Sequence, residues 1–192
     1  DDVRCQAYYE IAIIEYDKDK YNEALRDVNR AIEVNSDFIE NYYLRGAIFT
    51  EKGLYDSAIE SYQYAIDNNG NKEFVYYQLG NLYKKMGDID KAIEYFQKVL
   101  DANDENPYAN GELAELYEKK QDEDKVLHYI NEQLQVNPSD YHHIKRGLIY
   151  ARRGMMKEAK ADYDNAIEIN PENFYAYNNI GYLYQERGDF ET

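Results

Sequence analysis

The sequence of 192 residues has a single cysteine, three prolines and no tryptophan. Because a disulfide needs two cysteines, Cys5 excludes an internal one, and packing alone must stabilise the fold. No stretch approaches the roughly 18 consecutive apolar residues of a transmembrane helix, so we expect no direct membrane insertion. The first residues, DDVR, do not form a signal peptide and include no initiator methionine. We expect a soluble segment of a longer or processed protein, either cytoplasmic or, if an upstream signal was removed, periplasmic or exported.

Basic residues are also scarce. Lysine and arginine number 22 against 38 aspartates and glutamates, which gives a formal net charge of -16. Such a surface repels phosphate backbones and anionic membranes, so we expect no nucleic-acid partner. The composition favours a protein or peptide partner, whose identity the sequence leaves open.

What the sequence does contain is a regular series of small residues. Spaced by 34, 34, 34 and 33 positions are Ala24, Ala58, Ala92, Val126 and Ala159. A second series, twelve residues ahead of the first, consists of Ala12, Gly46, Gly80, Ala114, Gly147 and Gly181. Two series in phase at this period indicate tandem helix-turn-helix repeats. We divide a single domain, residues 1–192, into full repeats at 5–38, 39–72, 73–106, 107–139 and 140–173, and a partial repeat at 174–192.

Each full repeat has the pattern of two amphipathic helices joined by a turn. The turn needs a residue that tolerates positive φ, where the first helix ends. The residues expected there are Gly53, Gly87, Gly154 and Gly188, with Asp19 and Gln121 in the remaining repeats. Proline falls only between repeats, where it stops the preceding helix.

Aromatic residues follow the same period. They open the first helix at Tyr8, Tyr42, Tyr76 and Tyr177, end it at Phe49, Tyr83, Tyr117, Tyr150 and Tyr184, and recur in the second helix at Tyr62, Phe96 and Tyr163. With the small residues, the segments YYLRGAIFTEKGLYDSAIESYQYAI and YYQLGNLYKKMGDIDKAIEYFQKVL closely resemble tetratricopeptide repeats. The composition looks like that of bacterial members of the family. The fourth repeat departs most, with Asn110, Glu123, Val126 and Gln133 at positions that are apolar or small elsewhere.

The resemblance implies an all-α, right-handed α-solenoid of five full repeats and one terminal helix. It also implies a non-catalytic scaffold that binds a peptide or partner segment in a concave groove lined by the first helices. The candidate groove residues are Tyr9, Tyr43, Tyr77, Asn81, Lys84, Lys85, Glu112, Lys119, Tyr141, Lys145 and Arg152. Two questions stay open. The candidate tyrosines belong either to the core or to the groove. The charged candidates form either an ordinary solvated helix surface or a bipolar groove that orients its ligand. A carboxylate clamp of the kind that binds chaperones is not expected, because Glu112 would repel the ligand.

No pattern points to an enzyme, a cofactor or a metal. His128, His142 and His143 have no spacing that closes a metal site, and no phosphate-binding glycine loop is present. Two other functions remain as alternatives. The repeat pattern breaks off at Thr192, which leaves Tyr177, Ile180, Leu183 and Tyr184 without the helix that should cover them, so the chain either continues or forms an end-to-end homodimer. The segment could instead be the accessory repeat region of a larger enzyme.

Overall fold

The computed structural model describes residues 2–187, and within them every regular element is an α-helix. The helices are α1 (Asp2–Tyr16), α2 (Tyr21–Val34), α3 (Glu40–Glu51), α4 (Tyr55–Asp67), α5 (Lys72–Met86), α6 (Ile89–Ala102), α7 (Ala109–Lys119), α8 (Glu123–Val136), α9 (Asp140–Arg152), α10 (Met156–Ile169) and α11 (Phe174–Arg187). Odd-numbered helices are the first helices of the repeats, and even-numbered helices are the second helices. The prediction of an all-α array of helix pairs is confirmed. Among the helices of residues 2–187, none has the length and hydrophobicity that a transmembrane span requires.

The chain divides into two compact units. The N-terminal unit, Asp1–Ala102, contains the three helix pairs α1 to α6. The C-terminal unit, Asn103–Thr192, contains the pairs α7 with α8 and α9 with α10, followed by α11. In both units each first helix packs along the second helix of its own repeat, and the second helix also contacts the next first helix in that unit.

The small residues lie where the two helices of a repeat cross. A Cβ added at Gly46 would lie 2.6 Å from the ring of Tyr62, and one at Gly147 would lie 2.5 Å from the ring of Tyr163. A Cβ added at Gly80 would likewise be too close to the ring of Phe96. Where the second helix instead carries the smaller Val28 or Ile130, the first helix carries Ala12 or Ala114, and all four are buried. The size of the first-helix residue therefore complements the size of the second-helix residue.

The turns within the repeats adopt the predicted conformation. Gly53, Gly87 and Gly154 have φ of 71°, 82° and 74°. Asp19 and Gln121 have φ of 58° and 59°, so the prediction that they replace glycine is confirmed. The prediction for Gly188 falls outside residues 2–187.

The repeating aromatics supply much of the core. Buried among them are Tyr42, Tyr62, Tyr83, Phe96, Tyr117 and Tyr163. In α11 the pattern differs, because Tyr177 is 52% exposed and Tyr184 is 43% exposed. The expectation that Leu183 lacks cover is wrong, since it is 7% exposed in a cluster with Tyr163 and Ala176.

Polar side chains, among them the divergent Gln133, stabilise the start of the fourth repeat. The side chain of Gln133 is buried, accepts a hydrogen bond from the backbone N–H of Gly111 at 3.0 Å and donates one to the carbonyl of Pro107 at 2.8 Å. Asn106 accepts from the N–H of Ala109 at 2.9 Å, at the start of α7. Polar side chains thus satisfy backbone groups at this helix start, as Asn71 and Ser139 do at the starts of α5 and α9.

Candidate functional site

In the N-terminal unit, four residues of α5 meet α3 at a small pocket, here called the α3–α5 pocket. Its volume is about 140 Å³. The lining residues are Tyr16, Ala47, Thr50, Glu51, Tyr62, Gln78, Asn81, Leu82 and Lys85. The ammonium of Lys85 lies 2.9 Å from the carboxylate of Glu51. Leu82 is fully buried, so the pocket combines an apolar base with a charged rim.

In the C-terminal unit, a pocket of about 220 Å³ lies among α7, α8 and α9 and is here called the α7–α9 pocket. Its lining residues are Glu118, Gln121, Glu123, Val126, Lys145, Leu148, Ile149 and Arg152. The rim is again ionic, with Lys145 2.7 Å from Glu118 and Arg152 2.6 Å from Glu123. Val126 and Ile149 are buried and form the apolar base.

The two pockets use the same repeat positions. Gln78, Asn81, Leu82 and Lys85 correspond to Lys145, Leu148, Ile149 and Arg152, each pair separated by 67 residues, or one spacing of 34 and one of 33. Four of the residues expected in the groove, Asn81, Lys85, Lys145 and Arg152, therefore line pockets on first helices.

Three of the basic candidates, Lys85, Lys145 and Arg152, form ion pairs with carboxylates. Burial acts to lower the pKa of Lys145, but hydrogen bonds to Glu118 and Tyr141 outweigh it and raise that pKa above its ordinary value. Hydrogen bonds from Arg152 and Arg153 lower the pKa of Glu123, so both sides of that interaction stay ionised at neutral pH. A bipolar groove, one of the two alternatives from the sequence, would be basic here, and the ion pairs across neighbouring helices reduce that charge.

The three candidate tyrosines of the N-terminal unit are half-buried at the border of the core. Tyr9 packs edge-on against Phe38 at a centroid distance of 5.3 Å, and Tyr77 against Phe96 at 5.4 Å. The hydroxyl of Tyr43 accepts a hydrogen bond from the N–H of Asn71 at 2.5 Å. Each ring is therefore packed against the core on one side and accessible on another, so it combines the core and groove interpretations.

The remaining candidates are more scattered. Tyr141 is 49% exposed, and the ammonium of Lys145 lies 5.2 Å from its ring centroid. Lys84 and Glu112 are partly exposed and Lys119 is exposed, all on first helices outside the linings of the α3–α5 and α7–α9 pockets. Their role in binding stays a prediction.

Comparison with known families agrees with the geometry. A family model described as tetratricopeptide repeat matches residues 74–106, and a second, described as TPR repeat, matches residues 46–87 and 147–188. Together these matches extend over more than half of the sequence.

The chain is a tetratricopeptide repeat protein.

Solved structures share this fold at low sequence identity. The crystal structure of YrrB, described as a TPR protein with an unusual peptide-binding site, is 21% identical with a TM-score of 0.65, and the match covers 89% of each chain. A crystal structure of MamA is 21% identical with a TM-score of 0.70, covering 84% of this chain and 95% of that one. MamA 41-end from Desulfovibrio magneticus RS-1 is 17% identical with a TM-score of 0.70, covering 89% and 97%. Comparison with curated protein sequences gives no match. Tetratricopeptide repeats are commonly protein-interaction scaffolds and generally non-catalytic.

Two features of this tetratricopeptide repeat protein were not found from the sequence. The buried His143 and Asp162 form a network with the partly buried Arg146 in the C-terminal unit, in which Asp162 accepts from His143 at 2.8 Å and from Arg146 at 2.7 and 2.8 Å. This network gives His143 a structural partner, and no group of three potential metal ligands occurs in residues 2–187.

A third pocket, beside Tyr43 and Phe74, was also missed. The recurrence of exposed aromatics at Phe74, Tyr108, Tyr141 and Tyr175, spaced by 34, 33 and 34 residues, was the available signal.

Proposed function

We propose that the chain is a non-catalytic scaffold that binds an extended or helical segment of a partner protein on its first helices. One observation supports this most: pockets with an apolar base and an ionic rim recur at the same repeat positions in both units. Pockets that recur at a regular spacing suit a polypeptide ligand, because its side chains are also regularly spaced.

The sizes of the α3–α5 and α7–α9 pockets favour side chains over whole small molecules. Their volumes of about 140 and 220 Å³ lie below the roughly 300 Å³ at which pockets for small-molecule ligands and cofactors begin. An apolar side chain of a peptide can enter each base, while the rim contacts its backbone or a neighbouring charge. Because the rim charges are already paired, we expect them to contribute more to the choice of partner than to affinity.

The test is binding to an array of synthetic peptides that vary systematically in charge and hydrophobicity. Two variants reverse a rim charge, Lys85→Glu beside Glu51 and Arg152→Glu beside Glu123, and each should change which peptides bind and how binding depends on salt. Lys160→Glu is the matched control, since Lys160 lies on the second helix α10 and has a similar carboxylate partner, Asp164, at 2.8 Å. The proposal fails if no peptide binds, or if both rim variants, like the control, retain the peptide profile and salt dependence of the parent protein.

Self-association is a second candidate function, supported by α11. This helix exposes several aromatic side chains, Phe174 by 67%, Tyr175 by 70%, Tyr177 by 52% and Tyr182 by 59%. A patch of exposed aromatic surface often marks an interface, and here the proposed occupant is α11 of a second copy. Light scattering across a range of concentrations tests it: a dimer that Tyr175→Glu disrupts supports self-association, and a monomer at every concentration rejects it.

A further inference from the structure

A third pocket lies in the N-terminal unit near the starts of α3 and α5, and we call it the aromatic pocket. Its principal lining residues are Asp37, Glu40, Tyr43, Gly70, Asn71 and Phe74. Its volume of about 500 Å³ is larger than that of the α3–α5 or α7–α9 pocket. Among the described residues that line it, two are acidic and none is basic.

The two rings of the aromatic pocket are held at an angle to each other. Tyr43 and Phe74 have centroids 4.9 Å apart and ring planes inclined at 55°. Asn71 connects them, because its N–H donates to the hydroxyl of Tyr43 at 2.5 Å and its side chain accepts from the N–H of Phe74 at 3.0 Å. Asn71 is also the N-cap of α5, so the start of that helix fixes the position of the rings. The rings are therefore in place before a ligand arrives.

The carboxylates of the aromatic pocket differ from those of the other two pockets. Glu51 and Glu118 each form an ion pair with a lysine on the next first helix. Asp37 and Glu40 are exposed, and in residues 2–187 no basic side chain forms an ion pair with either. Their negative charge is available to a partner.

We propose that the aromatic pocket receives a basic side chain, arginine or lysine, of the bound partner segment. This rests on the proposed function, which it makes more specific. The negative face of an aromatic ring attracts a cation, and a guanidinium can also stack on it. The carboxylates add direct pairing at the entrance, and the net charge of -16 favours approach of a cationic segment.

The inference is tested on the full chain by NMR titration with three small probes. N-acetyl-arginine amide and N-acetyl-lysine amide carry the proposed charge, and N-acetyl-citrulline amide has nearly the shape of the arginine probe without it. We expect a charged probe to shift the backbone amide signals of Gly70 and Asn71 and the ring signals of Phe74. The citrulline probe should leave them unchanged, and added salt should weaken the binding of the charged probe.

Variants distinguish the two parts of the pocket. Phe74→Leu removes the ring but keeps an apolar side chain, and Glu40→Gln removes a charge at nearly constant shape. Each should weaken the charged probe about fivefold, the factor that corresponds to about 1 kcal/mol. Glu60→Gln, at an exposed position of the second helix α4, is the control and should bind as the parent does. Circular dichroism checks that every variant keeps its helix content.

Three results would overturn the inference: no shifts with either charged probe, equal shifts with the citrulline probe, or full binding by both Phe74→Leu and Glu40→Gln. Its failure is distinguishable from failure of the proposed function. If the protein binds peptides of the array without any preference for basic residues, the proposed scaffold function stands and only the role of the aromatic pocket is rejected. If the protein binds the charged probes but no peptide, the aromatic pocket stands as a cation site and the proposed scaffold function is rejected.

Discussion

Gly46→Ala tests the packing that defines the repeats. The added methyl group would lie 2.6 Å from a ring atom of Tyr62, about 1 Å closer than an ordinary carbon contact. Tyr62 is 1% exposed, so its ring cannot move into solvent. Overpacking of this kind costs about 1–3 kcal/mol, while alanine in place of glycine inside a helix gains about 1 kcal/mol. We expect a net loss of about 1 kcal/mol in the free energy of unfolding.

Two comparisons isolate the overpacking from the helix propensity. Gly181→Ala occupies the equivalent position in α11, where no atom of another helix in residues 2–187 lies within 4 Å of the added Cβ, so it should gain stability or leave it unchanged. The second comparison adds Tyr62→Ile, which reproduces the pairing of Ala114 with Ile130. In that background Gly46→Ala should no longer destabilise, and a double-mutant cycle should give a coupling energy of about 1–3 kcal/mol.

The assay is urea unfolding followed by circular dichroism. The reasoning is refuted if Gly46→Ala is no less favourable to stability than Gly181→Ala, or if its effect is the same with Tyr62 and with isoleucine at that position. Either result would mean that the helices of the repeat can separate without cost, and that the series of small residues has another cause.

Further substitutions test other parts of the structure. Ala92→Leu, at a position with no exposed surface, should lower the free energy of unfolding by about 1–3 kcal/mol, and an unchanged urea midpoint would count against the packing. Asp162→Ala removes a buried carboxylate and leaves the partly buried guanidinium of Arg146 without its ion-pair partner, which should cost about 3 kcal/mol, and a loss below 1 kcal/mol would show that the network is not stabilising. Glu15→Gln should raise the melting temperature at pH 7 but not below about pH 4, because burial, together with Asp27, raises the pKa of Glu15 and stability is lost as pH rises through that pKa. Equal melting-temperature changes at both pH values would contradict this assignment.

Much of the fold could be predicted from the sequence because its requirements are local and repeated. A small residue where two helices cross, and a residue tolerant of positive φ where the first helix ends, are needed in every repeat. Even the replacements Asp19 and Gln121 could be identified, since the period marks their positions. Gln133 could be recognised as divergent, but its two backbone hydrogen bonds depend on where the start of α7 lies in space.

The positions of several candidate site residues could be predicted from the sequence, but their ion-pair partners could not. Helical spacing was enough to place Asn81, Lys85, Lys145 and Arg152 on one face of their helices. The partners of the basic residues were not predictable, because Lys145 and Glu118 are 27 residues apart and meet only through the packing of neighbouring first helices.

The aromatic pocket was missed for a similar reason. Its shape depends on the segment before α5, where Asn69 has φ of 63° and Asn71 fixes Tyr43. Nothing in the helical periodicity specifies the path of that segment.

The central claim, that the first helices form the binding surface, is tested most directly by mapping a bound peptide. A peptide selected from the array can carry a paramagnetic label, which broadens the NMR signals of nearby residues in the full chain. We predict broadening at first-helix positions such as Asn81 and Leu148, with little effect at Lys98 and Lys160 on second helices. Broadening confined to the second helices, with Asn81 and Leu148 unaffected, would contradict the account.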